Sequence, residues 1–355
     1  MARACRGLAG GGQPPYRSSC THVQWQGPAA RFVLDPSRHR EKRYRSRVLF
    51  LSRADVERCG LSLGDCIGAC EEALSAKTQG KIEMPPKLGI SPRPGALFHA
   101  MPARLPDVAG MKWISVFPDR RPALTALIVL NDLETGAPVA IVEGAYLTAL
   151  RTPAATAIAA RRLAWPGVET IAVIGPGQQG RMHLAALKLV LPRLRRCRAW
   201  APSRATAERY AAEMSREHGI EVEAADSAEA ACRDAGVVVT CAPWPPRAAP
   251  SLGPRVFARG AFVCTIDYDA SVGAAAAGAF DQRYTDDVSQ MKLARAKGSF
   301  AGWPEDFGEL HSAARTSAEE TILCANLGLA IFDLAVASRA LRQARERGLG
   351  IVLPD

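Results

Sequence analysis

The chain has 355 residues, enough for two domains, and its 48% hydrophobic and 23% charged residues are typical of a soluble globular protein. Ten Lys and Arg lie within residues 1 to 47 against only Asp35 and Glu41, so this segment carries +8 of the formal charge of +10 and the other 308 residues carry +2. A basic surface for nucleic acid is therefore not expected on the folded part, and no apolar run is long enough to span a membrane.

The first 47 residues are predicted to form a disordered basic tail, because they are rich in Gly, Pro and Arg and show no sustained apolar period. They lack the apolar stretch of a signal peptide. The ten cysteines of the chain are scattered, without a CxxC pair or a nearby His at zinc spacing. This usage indicates reduced core cysteines, a cytoplasmic location and no metal site.

Strands and turns dominate the segment that begins at residue 48. The apolar "VLFLS" predicts a strand, and "SLGDCIGACEEALSAKTQG" predicts a helix that ends at Gly80. The segments that follow predict a curled antiparallel sheet: "LFHAMPARL", "GMKWISVF", "LTALIVLND" and "APVAIVEG". Strand alternation in "GMKWISVF" places Lys112 on the face opposite Met111 and Trp113, where it meets solvent or a cleft.

Helices and apolar strands alternate from Thr152 onward. In "LTALRTPAATAIA", Thr152 is expected to cap a helix and Pro153 to be its first residue, which leaves Arg151 beside the positive helix end, facing solvent or an anion. Five apolar strands separated by helical stretches follow, at residues 170–175, 197–201, 220–225, 236–242 and 261–267. This order predicts a doubly wound parallel sheet, and the chain is expected to close with one long helix that returns to the first domain.

A glycine-rich turn follows the first of these strands. In "TIAVIGPGQQGRMH", Gly175, Gly177 and Gly180 have the GxGxxG spacing directly after a strand and at the start of a helix. The three glycines permit a tight turn, close approach of a pyrophosphate, and packing of the helix on the strand. This context predicts a dinucleotide site, to which we also assign Gln178, Gln179, Thr152 and Cys241.

The end of the next strand favours NADP(H), with NAD(H) as the alternative. There, in "CRAWAPSRATAE", Ala201 occupies the position at which an acidic residue binds the ribose of NAD, and Ser203 and Arg204 follow. A hydroxyl and a guanidinium suit a 2′-phosphate. The competing interpretation is that Arg204 is an exposed residue at a helix start.

Five segments together resemble the ornithine cyclodeaminase and mu-crystallin family: "EMPPK", "FHAMPARLPDVAGMKWISVFP", "ALIVLNDLETGAPVAIVEGAYLTALRTPAATAIAARRLA", "IAVIGPGQQGRMHLAAL" and "ANLGLAIFDLAVA". The resemblance covers residues 48 to 355. It implies an α/β protein with a Rossmann domain at 152–320, which carries NAD(H) or NADP(H). It also implies an α+β substrate-binding and dimerisation domain, built from residues 48–151 and 321–355, in a homodimer.

The resemblance also assigns site residues. The arginine of the "LRT" motif and the lysine of the "K-aromatic" strand hold or polarise an amino acid near its carboxylate, and these fall on Arg151 and Lys112, so that Lys112 is expected to be both a binding and a catalytic residue. Lys87 lies where many members have Arg. The acid/base aspartate falls on Asp269, with Asp267 as the alternative, unless Asp267 caps the following loop. At strand spacing the two carboxylates would point the same way and raise each other's proton affinity.

The family's "GxDxPGKxEL" segment is replaced here by "IDYDASVGAA", so the substrate is expected to differ from ornithine. The expected reaction is hydride transfer between nicotinamide and the α-carbon of a small amino or imino acid, with a cyclic imino acid (ketimine) reductase as first choice. The alternatives are an ornithine or lysine cyclodeaminase with recycled NAD, an opine-like or diaminopropionate-type synthase or dehydrogenase, and a non-catalytic NADP(H)-binding protein.

Overall fold

The computed structural model describes residues 47–243 and 252–354. Apart from Arg47, the predicted basic tail lies outside the described residues. In chain order the elements are β1 (Leu49–Leu51), α1 (Arg53–Arg58), α2 (Leu63–Thr78), β2 (Leu88–Ile90), β3 (Leu97–Arg104), β4 (Ala109–Val116), β5 (Leu124–Asn131), β6 (Pro138–Glu143), α3 (Gly144–Leu163), β7 (Thr170–Ile174), α4 (Gln178–Val190), β8 (Arg196–Trp200), α5 (Arg204–His218), β9 (Glu221–Ala224), α6 (Ala228–Cys232), β10 (Val237–Thr240), β11 (Phe262–Thr265), α7 (Ala274–Ala279), β12 (Gln282–Thr285), α8 (Val288–Ala296), β13 (Gly308–Glu309), β14 (Ile322–Ala325), α9 (Ala330–Arg347) and β15 (Ile351–Val352).

The first sheet has the strand order β15-β1-β6-β5-β4-β3-β2 and is antiparallel except where β1 runs parallel to β6. Its central strands alternate between a buried and an open face. Lys112 and Ile128 point to the buried face, whereas Trp113 and Leu127 are 37% and 44% exposed on the other. The alternation predicted for β4 is therefore confirmed, with the lysine on the inside and the tryptophan outside.

The second sheet has eight strands in the order β13-β12-β14-β11-β10-β7-β8-β9, and all of its pairings are parallel. The predicted doubly wound α/β domain is confirmed. Residues 321–355 were expected to contribute to the first domain only, yet β14 lies inside the second sheet, between β11 and β12. Its buried run of apolar residues pairs as a strand, and Gly328 at φ +87° then turns the chain, so the closing helix begins only at Ala330.

Helix α3 links the two sheets and differs from its prediction. It begins at Gly144 rather than after Thr152, with Glu143 as the N-cap whose carboxylate accepts from the backbone N–H groups of Ala145 and Tyr146. Arg151 therefore lies inside the helix and is not beside its positive end. The "EGAYLTALR" segment contains several helix-forming residues of its own, Glu, Ala, Leu and Arg, and Pro153 does not interrupt the helix.

Helices α3 and α9 pack on each other and on the buried face of the first sheet, and α3 also contacts β11 of the second. Side chains from β4, α3 and α9 consequently meet between the two sheets. Within the two described ranges, no helix has the length and apolar character needed to cross a lipid bilayer. The eight cysteines in these ranges are free thiols.

Candidate active site

Three charged side chains from three elements form a buried cluster. Lys112 of β4 and Asp333 of α9 are fully buried, and Arg151 of α3 is 7% exposed. Nζ of Lys112 lies 2.7 Å from Oδ2 of Asp333, and Nε of Arg151 donates to Oδ1 of the same carboxylate over 2.9 Å. The anion that Arg151 meets in the structure is therefore Asp333, which the sequence analysis did not identify.

The cluster contains two cationic groups and one anion. Burial lowers the pKa of Lys112 to about 7, against the opposing effect of Asp333. Burial alone raises the pKa of Asp333, but Arg151 and Lys112 outweigh it and hold that pKa below its usual value. Within residues 47–243 and 252–354, the two terminal nitrogens of Arg151 have no hydrogen-bond acceptor. The cluster can therefore still bind a small anion, such as a carboxylate.

The loop between β14 and α9 packs against this cluster. A Cβ atom on Gly328 would lie 2.9 Å from a terminal nitrogen of Arg151, so the glycine allows the guanidinium to approach the backbone. The buried carboxylate of Asp286 accepts from the N–H groups of Leu327 and Gly328 at 3.0 and 2.7 Å, and Gln290 donates to the carbonyl of Gly328. These contacts hold the loop in place.

Lys87 connects the first sheet to the predicted acid/base segment. Its Nζ donates to the carbonyl of Leu327 over 2.6 Å and lies 5.6 Å from the ring centroid of Tyr268. Tyr268 is followed by Asp269, whose Oδ2 accepts from the N–H of Phe300 over 2.6 Å. Lys87 and Arg151 therefore contact the same short loop, Leu327–Gly328, and Lys87 also contacts Tyr268, the residue before Asp269.

Asp267 has other partners. Its buried carboxylate accepts from the hydroxyls of Thr240 and Ser271 and from the N–H of Ala242, at 2.5, 2.7 and 2.9 Å. Burial raises its pKa although these donors oppose the shift. Strand spacing between Asp267 and Asp269 was predicted wrongly, because β11 ends at Thr265 and Tyr268 adopts a left-handed backbone with φ +61°. Asp267 joins the ends of β10 and β11 through Thr240 and Ala242, and its bond with Ser271 lies within the following loop, which the alternative expected it to cap.

The glycine-rich turn has the geometry of its predicted role. Gly175 follows β7 at φ +93°, and a Cβ atom there would lie 2.5 Å from the carbonyl oxygen of Cys241. At Gly180 a Cβ atom would lie 2.9 Å from both the carbonyl oxygen of Gly175 and Val173, so α4 packs directly on the strand. At Gly177, by contrast, a Cβ atom would have nothing within 4 Å. The space beside Gly177 is free for a ligand.

The start of α4 fits an anionic dinucleotide. Gly177 is its N-cap and has no side chain to cap it, which leaves the first N–H groups of the helix, including those of Gln178 and Gln179, without a capping partner. The buried Oε1 of Gln179 has no partner within the described residues either. Free backbone donors at a positive helix end form the arrangement that binds a pyrophosphate.

The remaining predicted cofactor residues lie around this turn or beyond it. Ser203 is the N-cap of α5 without a side-chain hydrogen bond, and Arg204 is exposed and pairs with Glu208 and Asp226. Cys241 follows β10, against Gly175, whereas the hydroxyl of Thr152 donates to the carbonyl of Thr148 within α3. Among the residues the structure covers, no group of three His, Cys, Asp or Glu side chains is arranged to hold a metal ion.

A model of the "Ornithine cyclodeaminase/mu-crystallin family" matches residues 47–348. The chain belongs to the ornithine cyclodeaminase/mu-crystallin family. It is 45% identical over 151 residues to the nodulation efficiency protein NfeD of Rhizobium meliloti, a match that covers 41% of this chain and 47% of that protein. The chain thus matches about half the length of this curated relative.

Two solved structures match this chain over almost their full length. One is the Delta(1)-pyrroline-2-carboxylate reductase of Thermococcus litoralis in complex with NADH and L-proline, with 26% identity, a TM-score of 0.77, and coverage of 86% of this chain and 100% of that one. The other is an archaeal alanine dehydrogenase dimer with bound NAD, with 27% identity, the same TM-score, and coverage of 86% and 99%.

Sequence reasoning missed two carboxylates of the site, Asp333 and Asp286. Asp333 had a detectable signal, because it is the one acidic residue in the otherwise apolar "GLAIFDLAVA" segment of this family member. A charged residue on the packed face of a helix is rarely buried without a partner. Asp286 had no such signal, since it stands beside Asp287 in a polar turn.

Proposed function

We propose that this protein is an NAD(P)-dependent oxidoreductase that reduces an imino acid, with a cyclic ketimine as its substrate and the corresponding amino acid as product. One observation carries the proposal. The glycine-rich turn, Asp269 and Gly328 follow β7, β11 and β14 at the same edge of the parallel sheet, and Gly328 packs against Arg151. Ligands of such sheets bind at the carboxyl ends of the strands.

The charged cluster is suited to hold the substrate by its carboxylate. Lys112 and Arg151 share one anion, so a substrate carboxylate supplies the second negative charge. The terminal nitrogens of Arg151, which have no acceptor within the described residues, are its donors, and Lys87, which donates to the carbonyl of Leu327, adds positive charge. This binding fixes the imine carbon relative to the glycine-rich turn.

The reaction adds a hydride to the imine carbon and a proton to the imine nitrogen, so that the C=N bond becomes a C–N bond with one new C–H and one new N–H. A bound reduced nicotinamide supplies the hydride. In our proposal Asp269 supplies the proton, because one of its oxygens is oriented by the N–H of Phe300. Asp267, whose oxygens bind three donors, keeps the turn after β11 in place.

NADP(H) is the proposed cofactor. Ala201 brings no carboxylate to the end of β8. Arg204 and Ser203, the N-cap residue whose side chain makes no capping hydrogen bond, lie at the start of α5. The ion pairs of Arg204 with Glu208 and Asp226 are exposed, and such pairs contribute little, so a 2′-phosphate can replace them. The solved relatives with bound NADH and NAD make NAD(H) the competing cofactor.

We further propose a homodimer formed through the open face of the first sheet. Trp113 and Leu127 are exposed there, and Phe98 stacks on Trp113 with ring centroids 5.3 Å apart. An apolar sheet face of this kind is the usual site of a subunit contact. The alanine dehydrogenase relative is a dimer. We also propose a cytoplasmic location, which the free thiols among the described residues and the proposed use of NADPH support.

The test follows nicotinamide absorbance with NADPH or NADH and a panel of cyclic imino acids, and in parallel with α-keto acids plus amines. We expect oxidation of NADPH with cyclic imines. Arg151→Gln should raise KM strongly, whereas Arg161→Gln, an exposed arginine on the same helix, should leave it unchanged. Ammonia release from ornithine or lysine without net NADPH oxidation would refute the reductase in favour of a cyclodeaminase.

A further inference from the structure

Asp333 is the residue that unites the charged cluster. Its two oxygens each meet one cation, Lys112 at 2.7 Å and Arg151 at 2.9 Å, and the carboxylate is completely buried. The two cations come from different elements, β4 and α3, and Asp333 comes from a third, α9. One carboxylate therefore sets the distance between two side chains that the backbone does not otherwise align.

The charges require this arrangement. Two cations side by side in a buried site repel each other, and the lysine, whose proton is removable, relieves the repulsion by becoming neutral. A carboxylate between them opposes this loss of the proton. With Asp333 in place and Lys112 protonated, the cluster carries one positive charge in excess, which is the charge that a carboxylate substrate requires.

We propose that Asp333 is a positioning residue that keeps Lys112 charged and aligned with Arg151, so that both can bind one substrate carboxylate. The inference rests on the proposed function in naming a carboxylate as the ligand. It goes beyond that function because Asp333 touches neither substrate nor cofactor and acts only through Lys112 and Arg151.

The other groups around the cluster do not replace Asp333. Cys70, from α2, is a buried thiol whose pKa burial raises far above its usual value, so it stays neutral. Thr148 is uncharged and lies 3.5 Å from Nζ of Lys112. Lys87 adds a further cation, and His99, whose pKa burial and the surrounding lysines lower to about 4, is neutral near pH 7. Asp333 is thus the anion that faces Lys112 among the described residues.

The experiment compares Asp333→Asn and Asp333→Glu with the wild-type protein and with Asp287→Asn. Asp287 is a matched control, because it is a nearly buried carboxylate that pairs with Lys77 at 2.9 Å outside the cluster. The pH profile of kcat/KM is measured for each with the same cyclic imine, so that titration of the substrate is common to all profiles.

For Asp333→Asn we expect a loss of about 100-fold in kcat/KM, mostly in KM, and a shift of the alkaline limb to lower pH, because Lys112 loses its proton more readily. Asp333→Glu restores the negative charge, so its limb should return toward the wild-type position even if the rate stays low. Asp287→Asn should unfold at a lower temperature without moving the limb. The proposal would be overturned if the alkaline limb of Asp333→Asn stayed at the wild-type pH. It would also be overturned if the limb of Asp333→Glu shifted as far as that of Asp333→Asn.

A second readout needs no substrate. Lys112 has a folded pKa of about 7 against an ordinary value of 10.5, so its contribution makes stability rise with pH between these two values. In Asp333→Asn we expect a lower pKa of Lys112, so this rise of stability with pH should extend below pH 7. The melting temperature of the variant should then increase more steeply between pH 5 and pH 7 than that of the wild type. If the steeper melting-temperature slope appears but no imino acid is reduced, the proposed function fails and Asp333 keeps its role. If the imino acid is reduced but neither this slope nor the alkaline limb of kcat/KM changes in Asp333→Asn, only the role of Asp333 is contradicted.

Discussion

Two glycines of the same turn should respond to alanine in opposite ways. Gly175 has φ +93°, and a Cβ atom there would lie 2.5 Å from the carbonyl oxygen of Cys241, which is backbone and cannot rotate away. Gly177 has φ −86°, and a Cβ atom there would meet nothing within 4 Å. Gly175→Ala should therefore damage the fold, whereas Gly177→Ala should damage only the binding of the dinucleotide.

The magnitudes follow from these contacts. A left-handed alanine costs about 1–2 kcal/mol and the forced shift of the Cys241 backbone adds a similar amount, so Gly175→Ala should lose about 3 kcal/mol of stability. That loss corresponds to a melting temperature lower by about 4 °C in a chain of this size. Gly177→Ala removes close approach of the pyrophosphate to the helix start, and losing one or two charged hydrogen bonds raises Kd by roughly 30- to 100-fold.

Both variants are measured in the same two assays, thermal unfolding without ligand and titration of NADPH followed by fluorescence. The expected pattern is a lower melting temperature for Gly175→Ala, and an unchanged melting temperature with weakened NADPH binding for Gly177→Ala. Tight NADPH binding by Gly177→Ala would refute the assignment of this turn as the pyrophosphate site. Equal melting temperatures for Gly175→Ala and the wild type would refute the steric argument.

Arg204→Ala should weaken NADPH more than NADH, by roughly tenfold for one lost charged hydrogen bond, and equal effects in parallel titrations would remove the support for NADP(H). Asp269→Asn should lower kcat by about 100-fold or more at an unchanged melting temperature, and full activity would exclude it as proton donor. Asp267→Asn should instead lose about 2 kcal/mol of stability by thermal unfolding, since three donors lose a charged acceptor; unaltered stability would contradict its joining role. Trp113→Asp should give monomers in sedimentation experiments. Leu189 is an exposed leucine on α4, so Leu189→Asp is a control that should leave the dimer intact. A dimeric Trp113→Asp protein would place the interface elsewhere.

Local patterns in the sequence were enough for the main elements. The glycine spacing after an apolar strand located the tight turn at the start of α4, and the period of two in "GMKWISVF" separated Lys112 from Trp113. The same reasoning failed at α3, where Thr152 and Pro153 have the features of a helix start although the helix begins at Gly144. Capping preference is a weak signal when a helix-forming segment precedes it, because helix formation depends on tertiary packing more than on its first residue.

What the sequence determined by itself was therefore the antiparallel strands of the first half, the five apolar strands of the parallel sheet and the position of the glycine-rich turn. Each of these depends on a pattern of residues within one element or in the turn beside it. Only the tertiary structure decided which charges meet. Asp333 lies 182 positions along the chain from Arg151, and no period or motif relates the two. Their pairing arises because α9 and α3 pack on the same face of the first sheet, and a buried carboxylate is stable there only beside the cations that this packing supplies.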